Sequence, residues 1–374
     1  MDTPISERLP VSVITGFLGS GKTTFLNRVL RDASLANSLV VINEVGEIGI
    51  DHMLVSTPSE NLVLLDNGCL CCVLQGDLVQ TFADVYVKRE RGEIPRFDRV
   101  IIETTGLADP VPVIQTIVTD PAIAYVYRLA GVVTLVDGMH GDAQLAANPE
   151  AVKQIAVGDV LLISKTDLTS QDEVSALCVK LAQINPGAEI VTAADTANPK
   201  QLLERGAVAA IPVEGELERW FGSERYRHRG VPRRTARPSK RQRDTGERHT
   251  SDVQTFSLYR EGEIRSAALA LWMSMLAGLR GRDLLRVKGL LNVEGEPVVI
   301  HVVQTIIHEP ATLERWPDED RRSRIVFIAR NMERQKIERT LDALSFVEPV
   351  KSVNLSIDPA AYANFVRATK SFLP

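Results

Sequence analysis

No hydrophobic run in this chain is long enough to cross a membrane. The longest apolar helix candidate, residues 267–279, lies between Arg265 and Arg280 and falls well short of the roughly 20 residues a span needs. Positive charge is not in excess: the formal net charge is −5, which gives no reason to expect nucleic acid as a partner. Residues 1–10 are polar and short of apolar side chains, so no secretion signal is expected. Cysteine is scarce, four in 374 residues, and three of the four crowd at positions 69, 71 and 72. That spacing argues against a secreted disulfide framework and suits metal or redox chemistry in a reducing compartment, so a cytoplasmic location is expected. Neither a repeat nor a low-complexity array is present. What remains, 44% hydrophobic and 24% charged, is ordinary globular composition, at a length that exceeds one core and predicts two domains.

Short β-branched runs alternate with helical stretches over residues 1–214. The expected strands are 11–15, 39–43, 62–65, 99–103, 131–136, 159–164 and 189–192, with helical periodicity at 74–88, 111–118 and 173–183. Such alternation predicts an α/β domain with a mostly parallel sheet flanked by helices, whose ligand lies at the carboxyl ends of the strands. Residues 215–251 carry ten arginines and lysines between 225 and 248, with Pro232 and Pro238, and read as a basic flexible linker. Residues 252–374 read as a smaller α+β domain. Its strands are expected at 253–259, 284–291, 298–307 and 325–329, with a hairpin turn at 292–296. One helix is expected at 264–279, burying Ile264, Ala268, Leu271, Trp272, Met275 and Leu279, and another at 335–344.

Chemistry is concentrated in the first domain. Gly16-Phe17-Leu18-Gly19-Ser20-Gly21-Lys22-Thr23-Thr24 fits G-x-x-x-x-G-K-[ST], after a strand and before an amphipathic helix. Its glycines let backbone N–H groups curl around phosphate oxygens, and the helix start adds a positive dipole end. Lys22 is expected to reach the β- and γ-phosphates and the Thr23 hydroxyl to ligate Mg²⁺. The strand at 99–103 ends in Glu103-Thr104-Thr105-Gly106. Its carboxylate is expected to hold Mg²⁺ directly or through water, and the Gly106 N–H to bond the γ-phosphate. Ser164-Lys165-Thr166-Asp167 stands where GTPases read the base. The Asp167 carboxylate can accept from guanine N1–H and N2–H₂, which adenine lacks, and this favours GTP over ATP.

Two stretches exceed what a plain GTPase requires. Residues 43–51, Asn43-Glu44-Val45-Gly46-Glu47-Ile48-Gly49-Ile50-Asp51, occupy a switch position, and acids such as Glu44 are candidates to orient water or bind a metal. Residues 66–72 bring Cys69, Cys71 and Cys72 into about one turn. Thiolates are soft donors for Zn²⁺ and other late first-row ions, and three of them leave a tetrahedral ion one ligand short, which suits delivery. A redox-active thiol cluster is the other reading. Cys178 lies on an apolar helix face and reads as a small core residue.

In this order, G-F-L-G-S-G-K-T-T, N-E-V-G-E-I-G-I-D, N-G-C-L-C-C, E-T-T-G-L-A-D-P and S-K-T-D resemble the CobW-like family of P-loop GTPases, of the SIMIBI class. Residues 313–317 and 323–328 resemble the family's C-terminal domain. The resemblance implies a GTP-hydrolysing metallochaperone that hands a transition metal, zinc or alternatively cobalt for cobalamin synthesis, to a metal-dependent client protein. Residue by residue it implies phosphate and Mg²⁺ binding by Gly16, Gly19, Ser20, Gly21, Lys22, Thr23 and Thr24, with Glu103 as the acid. It implies catalytic roles for Lys22, Glu44 and Glu103, base reading by Ser164, Lys165 and Asp167, and metal binding by Cys69, Cys71 and Cys72. There are two departures. The chain has only six histidines, against a metal-storing His-rich stretch in many members, and Ser164 replaces the usual Asn, weakening the tie from base loop to P-loop. No arginine finger is evident, so slow turnover is expected. A thiol-based redox-sensing GTPase, an ATP-dependent enzyme and a nucleic-acid role for the arginine-rich stretch are the rival readings. The oligomeric state, a homo-oligomer included, stays open.

Overall fold

The computed structural model of the chain describes residues 7–42, 62–64, 75–194, 198–205, 253–280 and 283–343. Seven strands form the first sheet: β1 (Leu9–Gly16), β2 (Ser38–Ile42), β3 (Leu62–Leu64), β4 (Arg99–Glu103), β5 (Tyr127–Asp137), β6 (Val160–Ser164) and β7 (Glu189–Thr192). Their order is β3-β2-β4-β1-β5-β6-β7, and every pairing is parallel. Strands β2, β4 and β6 are buried along their whole length, because helices cover both faces and neither can be polar. On one face pack α1 (Lys22–Leu30) and α8 (Pro199–Glu204), whose Phe25, Leu26, Val29, Leu202 and Leu203 meet Ile14, Val40, Ile101, Val133 and Leu162. Helices α2 (Gln75–Glu90) and α3 (Val111–Thr119) fill the other face against Val11, Val13, Val100 and Ile102.

Four helices in this domain fall outside the periodicity reading: α4 (Pro121–Val126), α5 (Gly141–Ala147), α6 (Pro149–Val157) and α8. They are short, and their signal is local rather than periodic. Asp120 precedes Pro121, and its carboxylate accepts from the Ala122 and Ile123 N–H groups; Asn148 likewise precedes Pro149, and Asn198 precedes Pro199. Strand β5 starts at Tyr127, four residues before the expected position, directly from the end of α4. Helix α7 (Gln171–Ile184) begins at a capping box made by Ser170 and Glu173.

The second sheet is antiparallel. It runs β11 (Ile306–Ile307), β10 (Glu296–Val303), β9 (Leu284–Val293), β13 (Ser323–Arg330) and β8 (Val253–Arg260), with β12 (Ala311–Thr312) beside β10. Glu294 and Gly295 join β9 to β10 with φ of 54° and 92°, the left-handed pair that a two-residue hairpin needs. The single strand expected at 298–307 is two strands, because the chain turns at Gln304 (φ 51°) and folds β11 back on β10. Helices α9 (Ser266–Arg280) and α10 (Arg334–Ala343) pack on one side of the sheet, where Leu269, Trp272, Met273, Leu276, Ile337 and Leu341 share a core with Val287 and Phe327. The expected buried face of α9 needs correction. Leu271 and Met275 are 63% and 51% exposed, and Leu269, Met273 and Leu276 take their places. The run is apolar all round, so periodicity alone does not choose the inward stripe.

The two sheets meet at the amino ends of the parallel strands. Val303 and Ile306 join the cluster containing Val11, Tyr127 and Leu129, while Leu285 and Ile328 pack on Ala156 of α6. Arg286 of β9, 2% exposed, donates to the Val157 and Gly158 carbonyls and pairs with Asp159. Residues 206–252, which include the basic linker expected at 215–251, lie outside the described residues. Among the described residues no helix is long and apolar enough to cross a membrane.

Candidate functional site

β1 is the central strand, and its carboxyl end opens into the glycine-rich loop. Gly16, Gly19 and Gly21 have φ of 140°, 74° and 88°, a left-handed series that turns the chain sharply into α1. A Cβ on Gly16 would lie 2.3 Å from the Leu135 carbonyl, so no other residue fits there. Gly21 sits at the N-cap of α1 without a side chain to satisfy the first N–H groups, which leaves them directed at the loop's hollow. Lys22 is buried, and its ammonium donates to the Gly16 and Phe17 carbonyls at 2.9 and 3.2 Å, spanning the loop. Ser20 Oγ is buried there with no hydrogen-bond partner. Thr24 is exposed on the first turn of α1.

Sheet order brings the acid to the hydroxyl. β4 is paired with β1 in a register that sets Ile14 beside Glu103, and Thr23 Oγ1 donates to Glu103 Oε1 at 3.1 Å. These are two hard oxygen donors of the kind Mg²⁺ takes, one from each side of the phosphate loop. Beyond Glu103, Thr105 Oγ1 is buried without a partner, a second polar atom in this site left for a ligand to satisfy. Gly106 lies against the phosphate loop so closely that a Cβ would come within 2.7 Å of the Leu18 backbone. That contact needs glycine.

The base loop lies two strands away, on the other side of β1. Ser164 ends β6, and its hydroxyl is 2.7 Å from the Ser20 carbonyl and 3.2 Å from that of Val136. The tie between base loop and phosphate loop, expected to be weak because Ser replaces Asn, is therefore a short buried bond. Lys165 adopts a left-handed conformation (φ 54°) and donates to Asp137 Oδ2 at 2.8 Å. Asp137 also accepts from the Met139 and His140 N–H groups. Burial works to raise the Asp137 carboxyl, but the bonds from Lys165, His140 and Met139 together hold it below its ordinary value. Asp167 is exposed rather than buried. A carboxylate so placed could discriminate between bases only where the bound base itself excluded water from it.

Sequence reasoning missed Asp137, Gln144 and Gln154. Asp137 ends a strand, as Glu103 and Ser164 do, and that position was its signal. Gln144 of α5 donates to the Leu18 carbonyl at 3.3 Å, and Gln154 of α6 donates to the Gly106 and Ala108 carbonyls at 3.2 and 3.0 Å. Neither follows a motif. Glu44, Cys69, Cys71 and Cys72 lie outside the described residues, among which no group of three or more His, Cys, Asp or Glu side chains gathers to hold a metal. The chain leaves the carboxyl ends of β2 and β3 into those stretches, one and two strands from Glu103. Cys178 packs against the Leu177 and Leu181 cluster, and burial pushes its thiol up, away from the reactive range.

Residues 10–192 match the family model described as the CobW/HypB/UreG nucleotide-binding domain, and residues 253–345 match the cobalamin synthesis protein cobW C-terminal domain. The chain belongs to the CobW family. The zinc chaperone YjiA of Escherichia coli is 37% identical over 184 residues, 49% of this chain and 57% of that protein, so the match spans little more than half of that relative's length. Two further CobW relatives align nearly throughout. The zinc-regulated GTPase metalloprotein activator 1 of Saccharomyces cerevisiae is 26% identical over 91% of this chain and 84% of its own length. The zinc chaperone CobW of Pseudomonas aeruginosa is 27% identical over 89% and 91%. The crystal structure of Zn(II)-bound YjiA GTPase from E. coli superposes with a TM-score of 0.65, covering 90% of this chain and 99% of that one at 24% identity, a likeness of fold.

Proposed function

We propose that this chain is a GTP-hydrolysing metallochaperone that takes a transition metal, zinc, on Cys69, Cys71 and Cys72 and couples nucleotide state to its transfer to a client protein. The observation that carries the nucleotide half is the convergence of three strand ends. The left-handed glycine loop after β1, the Thr23–Glu103 pair and the Ser164 bond to the Ser20 carbonyl form one continuous polar surface. The three relatives named above are zinc chaperones or a zinc-regulated GTPase metalloprotein activator, which supports the metal half.

Each residue has a task. The Lys22 ammonium exchanges the Gly16 and Phe17 carbonyls for β- and γ-phosphate oxygens, while the first N–H groups of α1 surround the β-phosphate. Thr23 and Glu103 are the residues that would hold Mg²⁺, which when bound neutralises charge between the β- and γ-phosphates. In this reading the Gly106 N–H bonds the γ-phosphate, Thr24 bonds a phosphate oxygen, and Glu44 has the task of orienting the attacking water. Asp167 accepts from the guanine edge, with Lys165 held under the base by Asp137. Turnover without a partner is slow, because no arginine finger joins the motifs. The cytoplasm, where thiols stay reduced, is the proposed compartment.

Titration of Zn²⁺ under reducing conditions, with and without a non-hydrolysable GTP analogue, tests the coupling. A shift of about 5-fold or more in zinc affinity is expected. Identical affinities would remove the carrier reading and leave a GTPase with a separate thiol cluster. Asp167→Asn is expected to weaken GTP about 100-fold relative to ATP, measured by nucleotide competition.

A further inference from the structure

The nucleotide edge of the parallel sheet and the domain junction at its opposite edge share one element. Helix α6, nine residues long, is held by polar contacts from its middle, through Lys153 and Gln154, and at its carboxyl end. Toward the nucleotide edge, the Gln154 amide donates to the Gly106 and Ala108 carbonyls, and Lys153 pairs with Asp109. Those three loop residues directly follow Glu103, and Gly106 lies on the phosphate loop at Leu18. At its carboxyl end, the Val157 and Gly158 carbonyls are capped by Arg286 of the second sheet, which also pairs with Asp159. Asp159 Oδ2 accepts from the Val132 N–H at 3.0 Å, fixing this latch to β5.

We propose that the carboxyl-terminal turn of α6 is a coupling element: the Arg286–Asp159 latch sets how the Gly106–Asp109 loop closes on the terminal phosphate, and the nucleotide is felt in turn at the junction with the C-terminal domain. The proposal rests on the nucleotide site described above. Contact alone is not coupling; an element with two arrangements is required. The Gln154 side chain supplies the sign of one. It is 1% exposed, and while its N–H₂ serves two loop carbonyls, its Oε1 is buried with no donor. An orphaned acceptor costs free energy, and a second arrangement of the loop that presents an N–H to Oε1 would relieve it. Gln154 is also bound into its own surroundings. Its backbone carbonyl accepts from Thr134 Oγ1 at 3.0 Å and from the Gly158 N–H, so movement of this residue reaches the capped end of the helix within one turn. Gln154 and Arg286 are therefore positioning residues, acting on phosphate recognition through the loop.

The test compares affinities for GDP and for a non-hydrolysable GTP analogue in the full chain. Gln154→Leu and the paired Arg286→Met, Asp159→Asn variant, which removes both charges of the latch and leaves Lys288 its bond to the Gly187 carbonyl, are each expected to change analogue affinity about 5-fold or more. GDP affinity should move less than about 2-fold, since GDP lacks the phosphate the loop contacts. Combining the two changes should give less than the product of their separate effects, because both act on one element. Equal changes for both nucleotides, or effects that multiply, overturn the proposal. If the latch variant does not fold, hydrogen exchange on the native protein decides. Analogue in place of GDP must alter protection of the Gly158 and Asp159 N–H groups, and unchanged exchange there overturns the coupling. Absence of any GTP binding by the native chain would instead defeat the nucleotide reading itself.

Discussion

The two edges of the parallel sheet are built to opposite rules. At the carboxyl edge, three glycines hold left-handed turns, a lysine ammonium rests on loop carbonyls, and Ser20 Oγ and Thr105 Oγ1 are buried without partners. Leu18, Leu107, Met139 and Leu168 stand about half exposed around the rim. At the amino edge, Arg286 is all but inaccessible, its terminal nitrogens are committed to two carbonyls and a carboxylate, and apolar side chains of both domains close over it. One edge gathers its polar groups around an open loop, whereas the other buries a charged arginine on partners from its own chain, with the Nε2 atoms of His301 and His308 left unpaired beside it. Function and stability are thereby separated by the length of a strand, and substitutions at the two edges should fail in different assays.

The sharpest separation is expected from Lys22→Ala. Loss of the ammonium removes a charge aimed at the developing phosphate charge, and GTP hydrolysis should fall ~10³-fold or more. The Gly16 and Phe17 carbonyls lose a bond at the mouth of an open loop, so the melting temperature should shift by no more than a few degrees. A large drop in melting temperature would mean that the carboxyl edge is also structural. The reverse pattern is expected from Arg286→Met. Leaving buried Asp159 with only Lys288, 3.8 Å away, to balance it should cost about 3 kcal/mol in denaturant unfolding. Adding Asp159→Asn should recover most of that loss, since the amide oxygen can still accept from Val132.

How much of this was legible beforehand follows the same division. The carboxyl edge is written in short, ordered motifs, because phosphate and base recognition demand particular residue types at fixed spacing. Gly16, Lys22, Thr23, Glu103 and Ser164 were singled out for that reason, and the order β4-β1-β5-β6 sets them at neighbouring strand ends. The sheet itself was readable from buried β-branched runs. The amino edge carries no motif. Arg286 sits in a mostly apolar strand and Asp159 in front of another, and only their pairing across 127 residues gives them meaning. Gln154 was invisible for a similar reason, since a glutamine in a short helix has no pattern. Leu271 and Met275 were assigned inward because an all-apolar helix offers no polar face to orient it. Glu44 and the three crowded cysteines lie outside the described residues, and their roles remain those the motifs imply.

Acid should act on the amino edge first. His301 and His308 of the second sheet stack with ring centroids 4.6 Å apart, and both Nε2 atoms are buried without partners. Burial, with Arg286, His308 and Lys288 nearby, holds His301 well below its ordinary range. Burial likewise lowers His308 from 6.5 to about 4, against the pull of Asp159, with Arg286 adding to the lowering. Both rings are thus neutral in the folded protein. Below pH 6.5 the unfolded chain takes up protons that the buried rings refuse, so stability is present above that pH and lost as the pH falls toward 4. For His308 the loss amounts to about 3 kcal/mol. The urea midpoint of His308→Phe should fall less steeply than the native one across this window, and parallel curves would show the pair to be indifferent to acid.

The smallest effect should come from Ser164→Ala, which tests a direct protein tie between the base loop and the phosphate loop. The hydroxyl reaches the Ser20 carbonyl at 2.7 Å, inside the surface that otherwise waits for a ligand. Losing it removes one buried neutral hydrogen bond, roughly 1 kcal/mol of stability. The phosphate loop and the base loop would then be joined only through the bound nucleotide, which must order both, and GTP affinity should drop several-fold while GTP-over-ATP preference stays with Asp167. Isothermal titration of both nucleotides reads the difference. An affinity loss with preference intact means that Ser164 positions the loops, whereas a loss of preference would mean that it also sets the angle at which Asp167 meets the base.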